Sequence, residues 1–363
     1  MKRKERYTQI RRALLGWFAE TARDLPWRRT KDPYAIWISE IMLQQTRVQA
    51  VVPYYERFLN RFPTVKQLAR ARLHTVLKLW EGLGYYSRAR SLHEAAKKIV
   101  AQFNGHLPAN REELLTLPGI GRYTAGAIAS IAFGKREPLV DGNVTRVLCR
   151  LFRIKGSPKE AAVQERIWSI AEELVPKDHA GQFNQALMEL GSEVCRPRSP
   201  DCENCPVNQL CEARRHDEQD FLPTHVPKKR LPFHTVAVGV IYRDGRILID
   251  KRKPEGLLGG LWEFPGGKKR RGESLEAALR REVREELAIT VRVGREIAVV
   301  DHTYSHFRVR IHAFECTYAS GEPRCVACDD FKWVRPGDLG RYAFPAANNK
   351  IIQVLRAQKV RRR

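Results

Sequence analysis

The sequence predicts two domains, an all-α half followed by a smaller α/β half, and three observations carry that expectation. Up to about residue 211, apolar residues recur at helical spacing in nearly every segment. From residue 233 the runs alternate as strands do, around an Asp-Gly bend. Between them, residues 212–232 (EARRHDEQDFLPTHVPKKRLP) combine mixed charge, three prolines and no periodicity, which marks a linker. The 363 residues suffice for two separate cores.

The first twenty residues (MKRKERYTQIRRALLGWFAE) are basic, but Ile10, Leu14, Trp17 and Phe18 recur at helical spacing, so they read as the first helix and not as a transit peptide. Amphipathic helices follow over 46–62, 65–80, 87–103, 122–133, 144–152 and 160–174. Their connectors (FPT, GLGYY, FNGHLP, KGSP) carry Gly or Pro. The stretch LPGIGRYTAG (117–126) places two glycines between helical runs, which predicts a tight helix hairpin with positive φ values. In the second half, 235–252 (TVAVGVIYRDGRILIDKR) reads as a β-hairpin turning at Asp-Gly. One strong helix (SLEAALRREVREEL, 274–287) and an alternating strand (FRVRIHAFECTY, 307–318) come after it.

Sixty-five basic against 41 acidic residues give a formal charge of +24, spread along the chain. That excess points to a polyanionic partner, most simply nucleic acid. No apolar run is long enough to span a bilayer, which excludes a helical membrane protein as the expectation. With no secretory signal read, the eight cysteines are expected in a reducing compartment. Cys195, Cys202, Cys205 and Cys211 follow C-x6-C-x2-C-x5-C, a spacing that calls for a metal and leaves zinc and an iron–sulfur cluster both open. Cys325 and Cys328 form a second C-x2-C without another pair nearby, so they read as buried or free thiols.

Two carboxylates stand out. Glu40 is the only acid in the apolar run AIWISEIML; a buried carboxyl there would have a raised pKa, whereas an amphipathic helix would leave it solvated. Asp141 precedes the helical run GNVTRVLCRLF and reads as an N-cap, kept ionised by the helix dipole and free N–H groups. Environments that push two carboxyls apart suit an acid paired with an electrostatic stabiliser.

LPGIG, the aspartate of VDGNV and the cysteine spacing together resemble the iron–sulfur branch of the helix–hairpin–helix DNA glycosylases. LPWRRTKDPYAIWISEIMLQQT and GLGYYSRAR resemble, within it, the MutY family. The resemblance implies an all-α glycosylase domain over 1–211, with a six-helix module at 27–134 and an iron–sulfur module from 1–26 and 135–211. It implies a 4Fe–4S cluster on the four cysteines and duplex DNA containing 8-oxoguanine:adenine mispairs as substrate. Glu40 would protonate the departing adenine, Asp141 would stabilise the sugar cation and Asn143 would orient the pair. Tyr123 occupies the position where related bifunctional enzymes carry lysine; a phenol forms no imine, so base removal without strand cutting is expected. Gly119 and Gly121 would present backbone groups to a phosphate, with a monovalent cation at the hairpin. Gln45 and Tyr85 would wedge into the duplex, and Trp27 and Arg28 would wall the pocket. A monomer in the cytoplasm, near the nucleoid if bacterial, is implied, with replication-clamp or mismatch-repair contacts as further partners.

In the second half, Gly267, Glu273, Arg281, Glu282, Glu285 and Glu286 match G-x5-E-x7-R-E-x2-E-E, which resembles the Nudix box of MutT-like pyrophosphohydrolases. Ala288 departs, where the box normally has glycine. Residues 233–363 are thus expected to form a Nudix-like 8-oxoguanine recognition domain. Tyr304, Ser305 and His306 match the family's Phe-Ser-His loop, with Ser305 the expected contact to 8-oxoguanine. Recognition without hydrolysis is the expectation; Mg²⁺ on Glu282, Glu285 and Glu286 follows only if the box is active. The alternative activities are hydrolysis of oxidised nucleotides by the Nudix box and a bifunctional oxidised-pyrimidine glycosylase/lyase.

Overall fold

The structure, a computed structural model, describes residues 2–224 and 230–361. It divides into two compact units, one made of residues 1–70 and 91–228, the other of 71–90 and 229–363. No helix among the described residues is long and apolar enough to cross a membrane.

The first unit is helical. In chain order the helices are α1 (Arg3–Thr21), α2 (Pro33–Leu43), α3 (Val48–Arg61) and α4 (Val65–Arg70); then α5 (Leu73–Trp80), which belongs to the second unit, and α6 (Tyr86–Gln102). After these come α7 (Arg111–Leu115), α8 (Arg122–Ile131), α9 (Gly142–Leu151), α10 (Ala161–Leu174), α11 (Ala180–Glu189) and α12 (Glu212–Arg215). The single helix expected over 65–80 is broken by extended backbone at Arg72, where neither Gly nor Pro announces it. The caps follow the sequence. Asp32 accepts from Tyr34 N–H at the start of α2, where Pro33 sets φ, and Asn110 accepts from Glu113 N–H at the start of α7. Ile10, Leu14, Leu148, Ile167, Phe183 and Leu187 share one core, each worth about 2 kcal/mol of burial.

Helix α8 is built of small residues (TAGAIAS) because other chain segments lie directly on it. A Cβ at Gly126 would sit 2.0 Å from Pro138 O, and one at Gly181 of α11 would sit 2.5 Å from Ser130 O. This closeness brings Tyr123 at the start of α8 opposite the end of α11. Between α7 and α8, only Gly119 has positive φ (+79°); Gly121 is extended and caps α8, which corrects the expectation that both glycines need the left-handed region.

The expected linker is partly structured. Its first residues form α12, with Ala213 fully buried, and Leu222 O accepts from the buried Arg150. Residues 225–229 of that segment lie outside the described residues.

In the second unit, β1 (Phe233–Arg243) and β2 (Arg246–Lys251) form the expected hairpin, with Asp244 and Gly245 both at positive φ (48° and 69°). β3 (Trp262–Glu263) and β4 (Gly266–Lys268) precede α13 (Leu275–Leu287). Then come β5 (Thr290–Thr303), β6 (Arg308–Ser320), β7 (Asp330–Val334) and α14 (Ala346–Arg361). The sheet runs β3-β2-β1-β6-β5, with β4 on β1, β7 on β2, and β1 parallel to β6. Alternation along β1 sends Ala237 and Ile241 to the face packed by Leu279 and Val283 of α13. Val238 and Val240 go to the other face, against Ile351 and Ile352 of α14, a helix that the sequence reading missed. Ala288 caps α13 in the left-handed region (φ 58°), at a cost of about 1 kcal/mol relative to glycine.

Residues 71–90 pack within this unit. Lys78 Nζ donates to Tyr342 O, Tyr86 OH donates to Phe344 O, and Glu81 accepts from Phe344 N–H and Asn349 Nδ2.

Candidate active site

A cavity of about 150 Å³ in the first unit is lined by Glu40 of α2, Tyr123 of α8, Asp141 and Asn143 at the start of α9, and Met188 and Glu189 of α11. Trp27 and Arg28 complete its wall. Four sequence-predicted site residues from three separate helical regions therefore meet, and so do both expected wall residues.

Glu40 is 4% exposed, because α2 is buried all round from Tyr34 to Met42 and has no solvated face. Tyr123 donates its hydroxyl to Glu40 Oε2 at 2.6 Å and also contacts Met188 Sδ at 3.4 Å. Burial pushes the Glu40 pKa up to about 7, with the Asp141 charge adding to it, against the Tyr123 hydrogen bond and Arg28. A carboxyl that carries its proton near neutrality can protonate a leaving group.

Asp141 caps α9: Val144 N–H donates to Oδ1 at 2.6 Å and Asn143 Nδ2 to Oδ2 at 3.0 Å. Arg146 in turn donates to Asn143 Oδ1 at 2.9 Å, fixing the amide. The expected opposition of the two carboxyls does not hold as stated. Burial raises the Asp141 pKa as well, and the hydrogen bonds from Val144 and Asn143 and the charge of Arg146 only counter it. The asymmetry lies in the partners: Asp141 accepts bonds that favour its ionised form on both oxygens. Gly191 is a site residue that sequence reading missed. A Cβ there would lie 2.6 Å from Asn143 Cβ, so any other residue would push Asn143 off Asp141.

Glu189 was also missed, since on sequence it is one acid in a helix. It is 2% exposed and accepts from Arg23 Nε and a terminal guanidinium nitrogen at 2.8 and 2.6 Å, and from Arg28 at 2.9 Å. Burial pushes its pKa up, but the Arg23 and Arg28 hydrogen bonds outweigh burial and hold it at about 2. A carboxyl so depressed adds stability above its ordinary value of 4.5 and loses it as pH falls toward 2. Glu189→Ala is therefore expected to cost about 3 kcal/mol at neutral pH, with the difference from wild type shrinking below pH 4. Urea denaturation at pH 7 and pH 3 measures it; a pH-independent difference would refute the assignment.

Gln45 and Tyr85 both adopt positive φ (57° and 47°) and both are exposed, strained positions of the kind that surface contacts exploit. They lie in different units, Gln45 in the first and Tyr85 in the second. Trp27 packs edge-on against Tyr55 at 5.4 Å, so it is both wall and core.

Cys195, Cys202, Cys205 and Cys211 line one further cavity with Arg150 and Arg214. Arg150, 2% exposed, donates to Cys195 Sγ at 3.3 Å and to Arg196 O and Leu222 O, bracing the loop from inside. Among the described residues no trio of His, Cys, Asp or Glu is arranged around a single metal ion. Four free thiols facing one cavity beside two guanidiniums are a donor set that suits a metal group bound through thiolates, whose negative charge Arg150 and Arg214 would offset.

In the second unit, Arg281 donates to Glu273, Glu282 and Glu285 at 2.8, 2.7 and 3.1 Å, and Arg270 pairs with Glu285. Glu286 instead accepts from Gly266 N–H at 3.1 Å; burial, with Glu263 adding, pushes it up to about 8. Glu282 and Glu285 thus share Arg281, while Glu286 is held by the Gly266 backbone. Tyr304, Ser305 and His306 form the β5–β6 turn, where Tyr304 N–H donates to Phe307 O and the Tyr304 ring packs on His302. With Tyr85, Arg90 and Leu257 they line a cavity of about 350 Å³ within this unit.

Residues 38–173 match the family described as HhH-GPD superfamily base excision DNA repair protein, and residues 236–354 match the NUDIX domain. Adenine DNA glycosylase of Homo sapiens is 36% identical over 97% of this chain and 75% of its own length. That of Buchnera aphidicola (Acyrthosiphon pisum) is 34% identical over 82% of this chain and 84% of its own. Among solved structures, a thermostable thymine-DNA glycosylase superposes with a TM-score of 0.54 at 32% identity, over 59% of this chain and 98% of that one.

Proposed function

From the premise that the chain belongs to the adenine DNA glycosylase family, a base-excision repair glycosylase acting on DNA, we propose that it removes adenine lying opposite 8-oxoguanine, with Glu40 as general acid and Asp141 as the stabiliser of the sugar cation. The observation that carries this is the meeting of Glu40, Tyr123 and Asp141 in one buried cavity. A base must leave the stack to enter it. As the glycosidic bond breaks, its electron pair goes to adenine and the Glu40 proton goes to N7. The cation left at C1′ faces the Asp141 carboxylate. Ionised Glu40 then takes a proton from the water that attacks C1′, which restores the acid. Tyr123 keeps the Glu40 carboxyl aimed and supplies no amine, so the product is an abasic site and borohydride should trap no enzyme–DNA adduct.

Gly119 and Gly121 would offer backbone groups to a phosphate beside the flipped nucleotide, with a monovalent cation between them. Cys195, Cys202, Cys205 and Cys211 would hold a 4Fe–4S cluster, which when bound ties the 195–211 loop together. Arg146, donating to Cys195 O, and Arg150, donating to Arg196 O, hold the backbone at Cys195 in place for it.

For the base that pairs with the adenine, the cavity of the second unit lined by Tyr85, Tyr304, Ser305 and His306 supports recognition of 8-oxoguanine. The pairing of Glu282 and Glu285 with arginines supports recognition without diphosphate hydrolysis. The test is single-turnover adenine release from duplexes with 8-oxoguanine or guanine opposite. Wild type is expected to prefer 8-oxoguanine, and Ser305→Ala to lose about tenfold of that preference, as one base-edge hydrogen bond would imply. Equal wild-type rates on the two duplexes would overturn the recognition.

A further inference from the structure

Cys325 and Cys328 line neither the Glu40 cavity nor the one bounded by Tyr304, Ser305 and His306. Their loop, between β6 and β7, is fastened at both ends. Arg324 N–H donates to Leu287 O at 3.0 Å, and Val326 and Ala327 N–H donate to Glu286 O at 3.0 and 3.3 Å. On the other side Asp329 N–H donates to Lys251 O at 2.7 Å, and Lys251 pairs with Asp329. The loop thus closes the end of α13, satisfying carbonyls that a helix C-terminus leaves open. At its start it runs so close to the turn after α13 that a Cβ on Gly321 would lie 2.7 Å from Ala288 O.

This fastening holds the two thiols together, with the Cys328 Sγ contacting Cys325 Sγ at 2.7 Å. They differ in access. Cys325 is exposed, whereas Cys328 is 7% exposed and packs with the core under α13. Burial, the neighbouring Cys325 and the Asp250 carboxylate all favour the neutral Cys328 thiol.

We propose that Cys325 and Cys328 are a peroxide-oxidisable dithiol, in which exposed Cys325 is attacked first and buried Cys328 resolves it to a disulfide that locks the cap of α13. The chemistry balances with a hydroperoxide as oxidant. The Cys325 sulfur attacks one peroxide oxygen and the O–O bond breaks. That oxygen stays on sulfur as a sulfenic acid, and the other leaves, with a proton, as water or an alcohol. The Cys328 sulfur then attacks the Cys325 sulfur, the S–O bond breaks, and hydroxide departs as water with the Cys328 proton. Two thiols lose two electrons and two protons, and the peroxide takes them up.

Because Arg324 precedes Cys325 and Lys332 ends the next basic-to-basic interval, trypsin releases both cysteines on the peptide CVACDDFK (325–332). The full-length holoprotein, treated with hydrogen peroxide and then alkylated, is expected to yield this peptide unalkylated and about 2 Da lighter, reversibly with dithiothreitol. Amide exchange at Val326 and Ala327 should slow by about tenfold in the oxidised form. In Cys328→Ser the sulfenic acid has no resolving partner, so dimedone should label Cys325. In wild type that label should be about tenfold weaker. Persistence of two alkylatable thiols in wild type, an absence of dimedone label in Cys328→Ser, or unchanged exchange after disulfide formation would each overturn the proposal.

Discussion

Glu40→Gln is expected to slow single-turnover adenine release about 10⁴-fold, the upper range for a positioned general acid. The amide keeps the shape of the carboxyl and can still accept the Tyr123 hydroxyl, so the loss would report the proton and not the fold. Wild type itself should slow as pH rises through about 7, where Glu40 gives up the proton it must donate. Stability offers an independent reading of the same group. With its folded pKa raised from 4.5 to about 7, the Glu40 contribution is complete below pH 4.5 and is lost as pH climbs through 7. The variant has no such loss, so its unfolding free energy relative to wild type should gain about 3 kcal/mol between pH 4.5 and 8. A variant retaining a tenth of the wild-type rate, or a wild-type rate flat from pH 6 to 8, would remove Glu40 from the acid role.

Asp141→Asn is expected to cost about 10³-fold in the same assay while leaving the fold intact. Asparagine caps helices about as well as aspartate, and its oxygen can still accept Val144 N–H, so α9 keeps its start. What disappears is the negative charge facing the sugar. The same change should leave a mark on Glu40, because the Asp141 charge helps to raise its pKa. The residual activity of Asp141→Asn should therefore begin to fall at a lower pH than wild type. If the rate drops but that break stays where it was, Asp141 acts through something other than its charge.

Some of this was legible before folding. Asp244-Gly245 predicted a two-residue hairpin because few pairs tolerate positive φ twice, and the structure has it there. Asp141 was readable as a cap because a cap is a local hydrogen bond, three residues long. The cysteine spacing declared a shared site for the same local reason. The left-handed turn at Gly119 was foreseen, whereas the one assigned to Gly121 was not needed, since Gly121 is an extended cap.

The rest depended on partners distant in sequence. Glu40 could be read as solvated or buried, and the answer came from helices that cover α2 on every side. Glu189 carries no local signal, because the groups that close on it, Arg23 and Arg28, are more than 160 residues away. Gly191 mattered only once Asn143 lay against it. The break at Arg72 had no local signal, and the pKa of Asp141 rose because burial is a property of the assembled unit. By itself, then, the sequence determined the two-part fold class, the turns, the caps and the candidate residues, all set by interactions within a few residues. Tertiary structure alone decided which of those residues share a cavity and which are dry enough to hold a proton, because desolvation and charge pairing act through space and not along the chain.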